Sequence, residues 1–209
     1  MPSIAILAKG EFPRSRKCLD ALRSADAIIC CDGAATSLLE AGLEPASIVG
    51  DMDSLADGIR ARFADRLFPS RDQECNDLTK AFRHSLTLNP AEITILGATG
   101  LREDHTLGNV SLLLDYAEQA PCPVRMLTDY GRFEAIKDSA TLPSVKGQEI
   151  SIFCFDPTVK IKSTGLDYPV DNVVFDSLWK ATLNVASGNG FSLELSHPCG
   201  VLLFFADSL

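Results

Sequence analysis

Gly50-Asp51-Met52-Asp53-Ser54 sets two carboxylates two residues apart. In an extended segment, residues i and i+2 project to the same side, so Asp51 and Asp53 are expected side by side. Neighbouring carboxylates repel unless a cation neutralises them, and Mg²⁺ binds through one or two carboxylates plus phosphate oxygens of a substrate. The stretch also reads as a solvated loop of turn-forming Asp residues, with Ser54 as a helix cap. Further on, Asp72-Gln73-Glu74-Cys75-Asn76-Asp77-Leu78-Thr79-Lys80-Ala81 places Asp77 and Lys80 three apart near a helix start, on one face. A carboxylate for a metal beside an ammonium for phosphate is one use of that pair; an exposed ion pair is the other.

Two more stretches have the composition of anion-binding turns. Cys31-Asp32-Gly33-Ala34-Ala35 opens a helix with small residues, which let a ligand approach free backbone N–H groups, although Asp-Gly also makes a plain turn. Gly97-Ala98-Thr99-Gly100-Leu101-Arg102-Glu103-Asp104-His105-Thr106-Leu107-Gly108-Asn109 leads from a strand into a helix through glycines. Arg102 can clamp a phosphoryl group, and His105 and Asn109 are one turn apart. The stretch is neither a P-loop nor a GxGxxG fingerprint.

All four stretches follow short apolar runs. Ile4–Ala8, Ala27–Cys31, Ser47–Val49, Ile93–Leu96 and Val124–Leu127 read as buried strands. Helical spacing is seen over Arg14–Ser24, Ala34–Ala41, Asn76–Leu88 (capped by Asn76) and Thr106–Gln119, the last with Leu107, Val110, Leu113, Leu114 and Ala117 along one side. Near-continuous apolar strands alternating with helices predict a Rossmann-like, mostly parallel sheet covered on both faces. In such sheets ligands sit beyond the carboxyl ends of the strands, where the four polar stretches lie. The helical periods end near residue 131. Ile150–Phe155, Val159–Ile161, Val173–Phe175, Thr182–Ala186, Phe191–Leu195 and Val201–Phe205 then predict an antiparallel β-sandwich or barrel. The expected class is therefore α/β plus all-β, with domains 1–135 and 136–209.

Composition narrows the chemistry. With 46% hydrophobic and 22% charged residues in 209, the chain can bury a core without staples. A net charge of −9 disfavours general nucleic-acid binding and calls for a cation between the protein and any anionic substrate. Seven cysteines at irregular spacings, with no C-x-x-C pair, read as reduced thiols rather than a zinc or disulfide framework. The N-terminal apolar run meets Lys9 and Glu11 too soon for a signal peptide, and Val201–Ala206 is far too short to span a membrane. The cytoplasm is the expected compartment. The apolar tail Val201-Leu202-Leu203-Phe204-Phe205 needs cover on both faces of a strand, from its own domain or from a partner subunit.

Taken in order, Asp32-Gly33-Ala34-Ala35, Gly50-Asp51-Met52-Asp53-Ser54, Asp72-Gln73…Asp77…Lys80-Ala81 and Gly97…Gly100…Arg102…Asp104-His105…Asn109 resemble the thiamin pyrophosphokinase family. The later Gly165-Leu166-Asp167-Tyr168-Pro169 resembles its GLxYP segment. Asn76 stands where the family usually has Thr, Leu101 replaces the second glycine of a GGR run, and the late SN signature is Leu183-Asn184. The resemblance implies transfer of pyrophosphate from ATP to the hydroxyl of thiamin, with AMP leaving. It implies Mg²⁺ on Asp51, Asp53 and Asp77, with Asp51, Asp77, Arg102 and Asp104 in the catalytic set. Asp32 and Gly33 would line the nucleotide cleft, and Lys80 and Arg102 would contact phosphates. His105 and Asn109 would support the loop, and Gln73, Asp104 and Asn184 would reach thiamin. A homodimer with thiamin held between the β-rich domain of one chain and the α/β domain of the other is also implied. The alternatives are a pyrophosphokinase for another hydroxymethyl heterocycle, such as a pterin, and a non-catalytic nucleotide or vitamin sensor.

Overall fold

Runs of Ile, Val, Leu and Cys without polar interruption can satisfy their backbone only in a sheet and their side chains only between two layers. The computed structural model, which describes residues 1–72 and 74–207, shows such a sheet. Six strands, β1 (Ser3–Leu7), β2 (Ala27–Cys31), β3 (Ser47–Gly50), β4 (Leu67–Pro69), β5 (Glu92–Leu96) and β6 (Val124–Thr128), are all parallel in the order β6-β5-β1-β2-β3-β4. From β1 the chain winds outward to β2, β3 and β4, then returns to place β5 on the other side of β1. The reversal puts a topological switch point between β1 and β5, where open parallel sheets form a crevice.

Five helices connect these strands: α1 (Arg16–Ser24), α2 (Ala34–Glu40), α3 (Asp57–Arg62), α4 (Asp77–Leu86) and α5 (Glu103–Gln119). Ser15 caps α1 by accepting the Cys18 N–H, and Asp129 accepts the N–H groups of Arg14 and Ser15. Cys18 and Leu22 of α1 and Ala35 and Leu38 of α2 share a buried cluster with Ala5, Leu7, Ile28 and Cys30. Alternation turns Ile4, Ile6 and Ile29 to the other face. Outside that cluster, α4 packs on β1, β2 and β3 and buries Leu78, Ala81 and Phe82. Asn76 caps α4 as the sequence predicts, its Oδ1 accepting the Thr79 N–H at 2.9 Å.

The sequence reading lacked α3, which is short and polar, and β4, which is only three residues long and ends in Pro69. Helix α5 starts at Glu103 rather than Thr106. The proposed apolar side of α5 is also corrected: Leu107 is 69% exposed, and the buried residues are Leu113 and Tyr116.

The chain divides into two compact units, Met1–Leu112 with Gln119–Asp129, and Leu113–Glu118 with Tyr130–Leu209. The second unit is the β-rich one. It contains β7 (Gly131–Ile136), β8 (Ala140–Pro143), β9 (Glu149–Cys154), β10 (Ile161–Thr164), β11 (Asn184–Val185), β12 (Gly190–Leu195) and β13 (Val201–Ala206). Two antiparallel arrays, β7-β13-β9-β11 and β10-β12-β8, face each other. Ile150, Ile152, Val201, Leu203 and Phe205 of one meet Leu142, Ile161, Phe191, Leu193 and Leu195 of the other. Val173–Phe175 is not a strand: the segment is a loop, from which Phe175 is buried in this core. Strand β7, which a boundary at 135/136 would cut, pairs along its length with β13.

Strand β13 lies between β7 and β9, with Leu202 at 2% exposure and Val201, Leu203 and Phe205 wholly buried. Its core face is thus covered within the chain, while on the other face Leu202 is buried and Phe204 and Ala206 are only half-buried. Among the described residues, no helix is long and apolar enough to cross a membrane.

Candidate functional site

Because β1, β2, β3 and β5 run parallel and in register, their carboxyl ends come to one edge of the sheet. Asp32 follows β2, Asp51 follows β3, and Asp77 is the first residue of α4. One carboxylate oxygen from each lies within 4.8 Å of the other two. Asp32 is 3% exposed and takes a left-handed φ of 34°. Its Oδ2 accepts the Ser54 N–H at 3.0 Å and the Ser54 hydroxyl at 2.5 Å, whereas its buried Oδ1 has no hydrogen-bond partner among the described residues. An unsatisfied buried acceptor costs about 1–3 kcal/mol, and three close carboxylates repel, so the arrangement suits a cation that relieves both. An all-oxygen donor set suits a hard divalent ion such as Mg²⁺.

Gly50 makes the gathering possible. A Cβ at this position would lie 2.8 Å from Asp32 Cβ and 3.3 Å from Asp77 Cγ, between two members of the cluster.

Asp53 is exposed and outside the acidic triad. The segment is not extended there, because Met52 takes a φ of 68° and the Asp51 carboxylate accepts the Asp53 N–H at 3.1 Å. The turn removes the i, i+2 geometry that made Asp51 and Asp53 neighbours in the sequence reading.

Lys80 donates to Asp77 Oδ1 at 3.0 Å, with its side chain 6% exposed. Burial works against its charge, but the Asp77 hydrogen bond and the charges of Asp77 and Asp51 outweigh that and lift the ammonium pKa above an ordinary lysine's. Lys80 therefore holds Asp77 in place as a permanent cation. Beside them, the Cys31 thiol is pushed well above its usual pKa by burial, then by Cys30, Asp77 and Asp32, so it stays protonated.

The loop after β5 forms the opposite wall. Gly97 has φ 63°, and a side chain there would run into the Ala8 carbonyl at 2.7 Å; glycine lets the ends of β1 and β5 approach. Asn109 braces the loop, donating to the Ala98 carbonyl at 2.8 Å and accepting from Asn76 Nδ2 at 3.3 Å. Arg102 forms a two-pronged pair with Asp104, Nε to Oδ1 at 3.0 Å and Nη2 to Oδ2 at 2.5 Å. These bonds, with the His105 N–H, hold the Asp104 carboxyl down to about 2. Leu101, in the family's glycine position, takes φ 61° and is exposed. The walls enclose a cleft of about 400 Å³ at the β1/β5 switch point, lined by Lys9, Asp77, Gly100, Arg102, His105 and Asn109 among others.

Of the residues expected from sequence, Asp32, Gly33, Asp51, Asp77, Lys80, Arg102, Asp104, His105 and Asn109 are in the first unit, and Asn184 is in the second. Gln73 lies outside the described residues. Asn184 is 3% exposed, and its side chain is committed: Nδ2 donates to the Tyr168 carbonyl at 2.7 Å, and Oδ1 accepts the N–H groups of Tyr168 and Val185 at 3.2 and 2.8 Å. It brackets Tyr168-Pro169 beside a cavity of about 310 Å³ lined by Tyr168, Val173, Lys180 and Leu183. The sequence reading missed Lys9 as a cleft residue and Asp32 as a member of the triad. The strand-end rule, applied to β1 as it was to its neighbours, finds Lys9 two residues past Leu7.

Comparison with known proteins places these units. Residues 18–125 match the family model "Thiamin pyrophosphokinase, catalytic domain", and residues 131–204 match "Thiamin pyrophosphokinase, substrate-binding domain". The chain is 28% identical over 187 residues to a thiamine pyrophosphokinase of Bacillus subtilis, covering 83% of this chain and 80% of that protein. The crystal structure of a thiamin pyrophosphokinase family protein from Enterococcus faecalis superposes with a TM-score of 0.81 at 20% identity, over 99% of this chain and all of the other. Yeast thiamin pyrophosphokinase gives 0.77 at 16% identity, over 97% and 86%. At such identities the structural likeness establishes the fold.

Proposed function

Since the chain belongs to the thiamin pyrophosphokinase family, we propose that it transfers the pyrophosphoryl group of ATP to the hydroxyl of thiamin, giving thiamin diphosphate and AMP. The observation that carries the site assignment is the triad of Asp32, Asp51 and Asp77, with an unsatisfied Asp32 oxygen, at the strand ends of the segment matched by the catalytic model. The donor set fits Mg²⁺, which Asp32, Asp51 and Asp77 would hold, with Asp53 adding charge at the rim. The ion, when bound, supplies neutralisation of phosphate charge.

The thiamin hydroxyl oxygen attacks the β-phosphorus and gives up its proton to solvent, the bond from that phosphorus to the oxygen it shares with the α-phosphorus breaks, and AMP leaves with that oxygen. Because the transferred group needs little covalent help, the chain's contribution is positioning and charge. Asp77 is aligned by Lys80 and Asp32 by Ser54, so the carboxylates need little rearrangement. Arg102, oriented by Asp104, presents positive charge from the loop that Asn109 braces. Asp104 thus acts through Arg102. Asn184 shapes the pocket proposed for thiamin by fixing Tyr168-Pro169, with Gln73 a further thiamin contact.

A homodimer is part of the proposal. Besides the family, Trp179 and Leu183 support it, being 71% and 70% exposed on the second unit, where large apolar side chains suit an interface. The seven cysteines are thiols rather than disulfides, with Cys18, Cys30 and Cys31 buried, which suits a reducing compartment such as the cytoplasm. The deciding assay supplies purified protein with ATP, Mg²⁺ and either thiamin or hydroxymethylpterin. AMP and thiamin diphosphate should appear in equal amounts. ADP as the nucleotide product, or turnover with the pterin alone, would overturn the assignment.

A further inference from the structure

The charges lining the cleft do not balance. Arg102 is paired with Asp104 and Lys80 with Asp77. Lys9, at the carboxyl end of β1 on the switch point, also lines the cleft, yet its ammonium has no ion pair or hydrogen bond among the described residues. Its side chain lies against Gly33. A methyl group built at Gly33 would come within 3.0 Å of Lys9 Cε and 3.1 Å of Nζ, and within 3.0 Å of the Ser54 hydroxyl that binds Asp32. The lysine therefore lies across Gly33, beside the acidic triad, without pairing with it.

A cation held so in a chain of net charge −9 is complementary to an anion brought from outside. We propose that Lys9 is a phosphate-binding residue of this cleft, contacting the polyphosphate of the nucleotide; this rests on the cleft being the ATP site. The Gly33 backbone is helical (φ −63°, ψ −9°), which alanine adopts freely, so a side chain there is opposed only by its neighbours, the lysine end and the Ser54 hydroxyl.

Three variants test this: Lys9→Met, Lys9→Arg and Gly33→Ala. Binding of inorganic tripolyphosphate is measured by calorimetry in chelator, which requires neither metal nor turnover. The KM values for ATP and thiamin are measured separately. Lys9→Met should weaken tripolyphosphate binding and raise the KM for ATP by about 10-fold, the scale of one charged hydrogen bond, leaving the KM for thiamin unchanged. Lys9→Arg should recover most of the loss, and Gly33→Ala, by displacing the lysine, should reproduce part of it. Unchanged tripolyphosphate affinity and ATP KM in Lys9→Met would overturn the proposal, whatever the activity of the parent protein. Lys9-dependent tripolyphosphate binding in a protein that makes no thiamin diphosphate would sustain it and sink the proposed reaction instead.

Discussion

Asp32 in the first unit and Asn184 in the second are equally buried, each 3% exposed; Asp32 stands in the turn after β2 and Asn184 at the start of β11. Their hydrogen bonding is opposite. Asn184 uses both ends of its amide on the backbone of Tyr168 and on Val185. Asp32 leaves one oxygen bare among two other carboxylates. A buried polar group with its bonds filled is part of the scaffold, since filling them is what made its burial affordable. One with a bond left open, surrounded by like charge, is waiting for a ligand. Under the proposed function, chemistry belongs to the strand ends of the parallel sheet, and the sandwich shapes a pocket.

The sharpest way to break that contrast is to remove the open valence. Asp32→Asn should lower turnover by about 100-fold or more, the loss seen when a preorganised charge-stabilising group is removed. Its thermal midpoint without metal should not fall, because the change also relieves repulsion. The rise in melting temperature that Mg²⁺ causes in the parent should disappear. Paired assays of turnover and thermal unfolding, with and without Mg²⁺, check all three.

Asn184→Ala should act the other way. It removes three hydrogen bonds and leaves Tyr168 backbone groups unpaired, so stability should drop by about 2–3 kcal/mol in urea unfolding. The KM for thiamin should rise while the Mg²⁺ response stays intact. If instead stability held and the metal response vanished, the contrast would fail.

The smallest effect concerns a satisfied carboxylate in the second unit. Asp156 accepts from His197 at 2.9 Å and from the Thr158 hydroxyl and N–H at 2.6 and 2.8 Å. His197 first, then Thr158, hold its pKa well below the ordinary 3.8. A depressed carboxylate stabilises the fold fully above its unfolded pKa and loses that contribution as pH falls through the folded value. Asp156→Asn should therefore be slightly less stable than the parent at pH 7, with the gap closing below about pH 4. Urea midpoints across pH 2–7 (roughly the range in which carboxylates titrate) read this directly.

Much of this molecule was legible from the chain alone. Apolar runs marked five of the six parallel strands, Asn76 announced the start of α4, and the polar stretches at strand ends contained Asp51, Asp77, Arg102 and Asn109. Local composition suffices for such features because burial and capping act over a few residues. The polar α3 and the three-residue β4 were too short to carry such periodicity. The loop Val173–Phe175 had the apolar residues of a strand but lacked neighbours to pair with.

What tertiary structure decided is the company each carboxylate keeps. Asp51 and Asp53 are close in sequence, and a left-handed Met52 parts them; Asp32 and Asp77 are 45 residues apart, and the parallel register of β2 and β3 with the seat of α4 brings them to Asp51. Lys9 became part of the same cleft only because β1 lies between β5 and β2. Which strands are neighbours depends on contacts across the whole sheet, and a single sequence carries no local record of them.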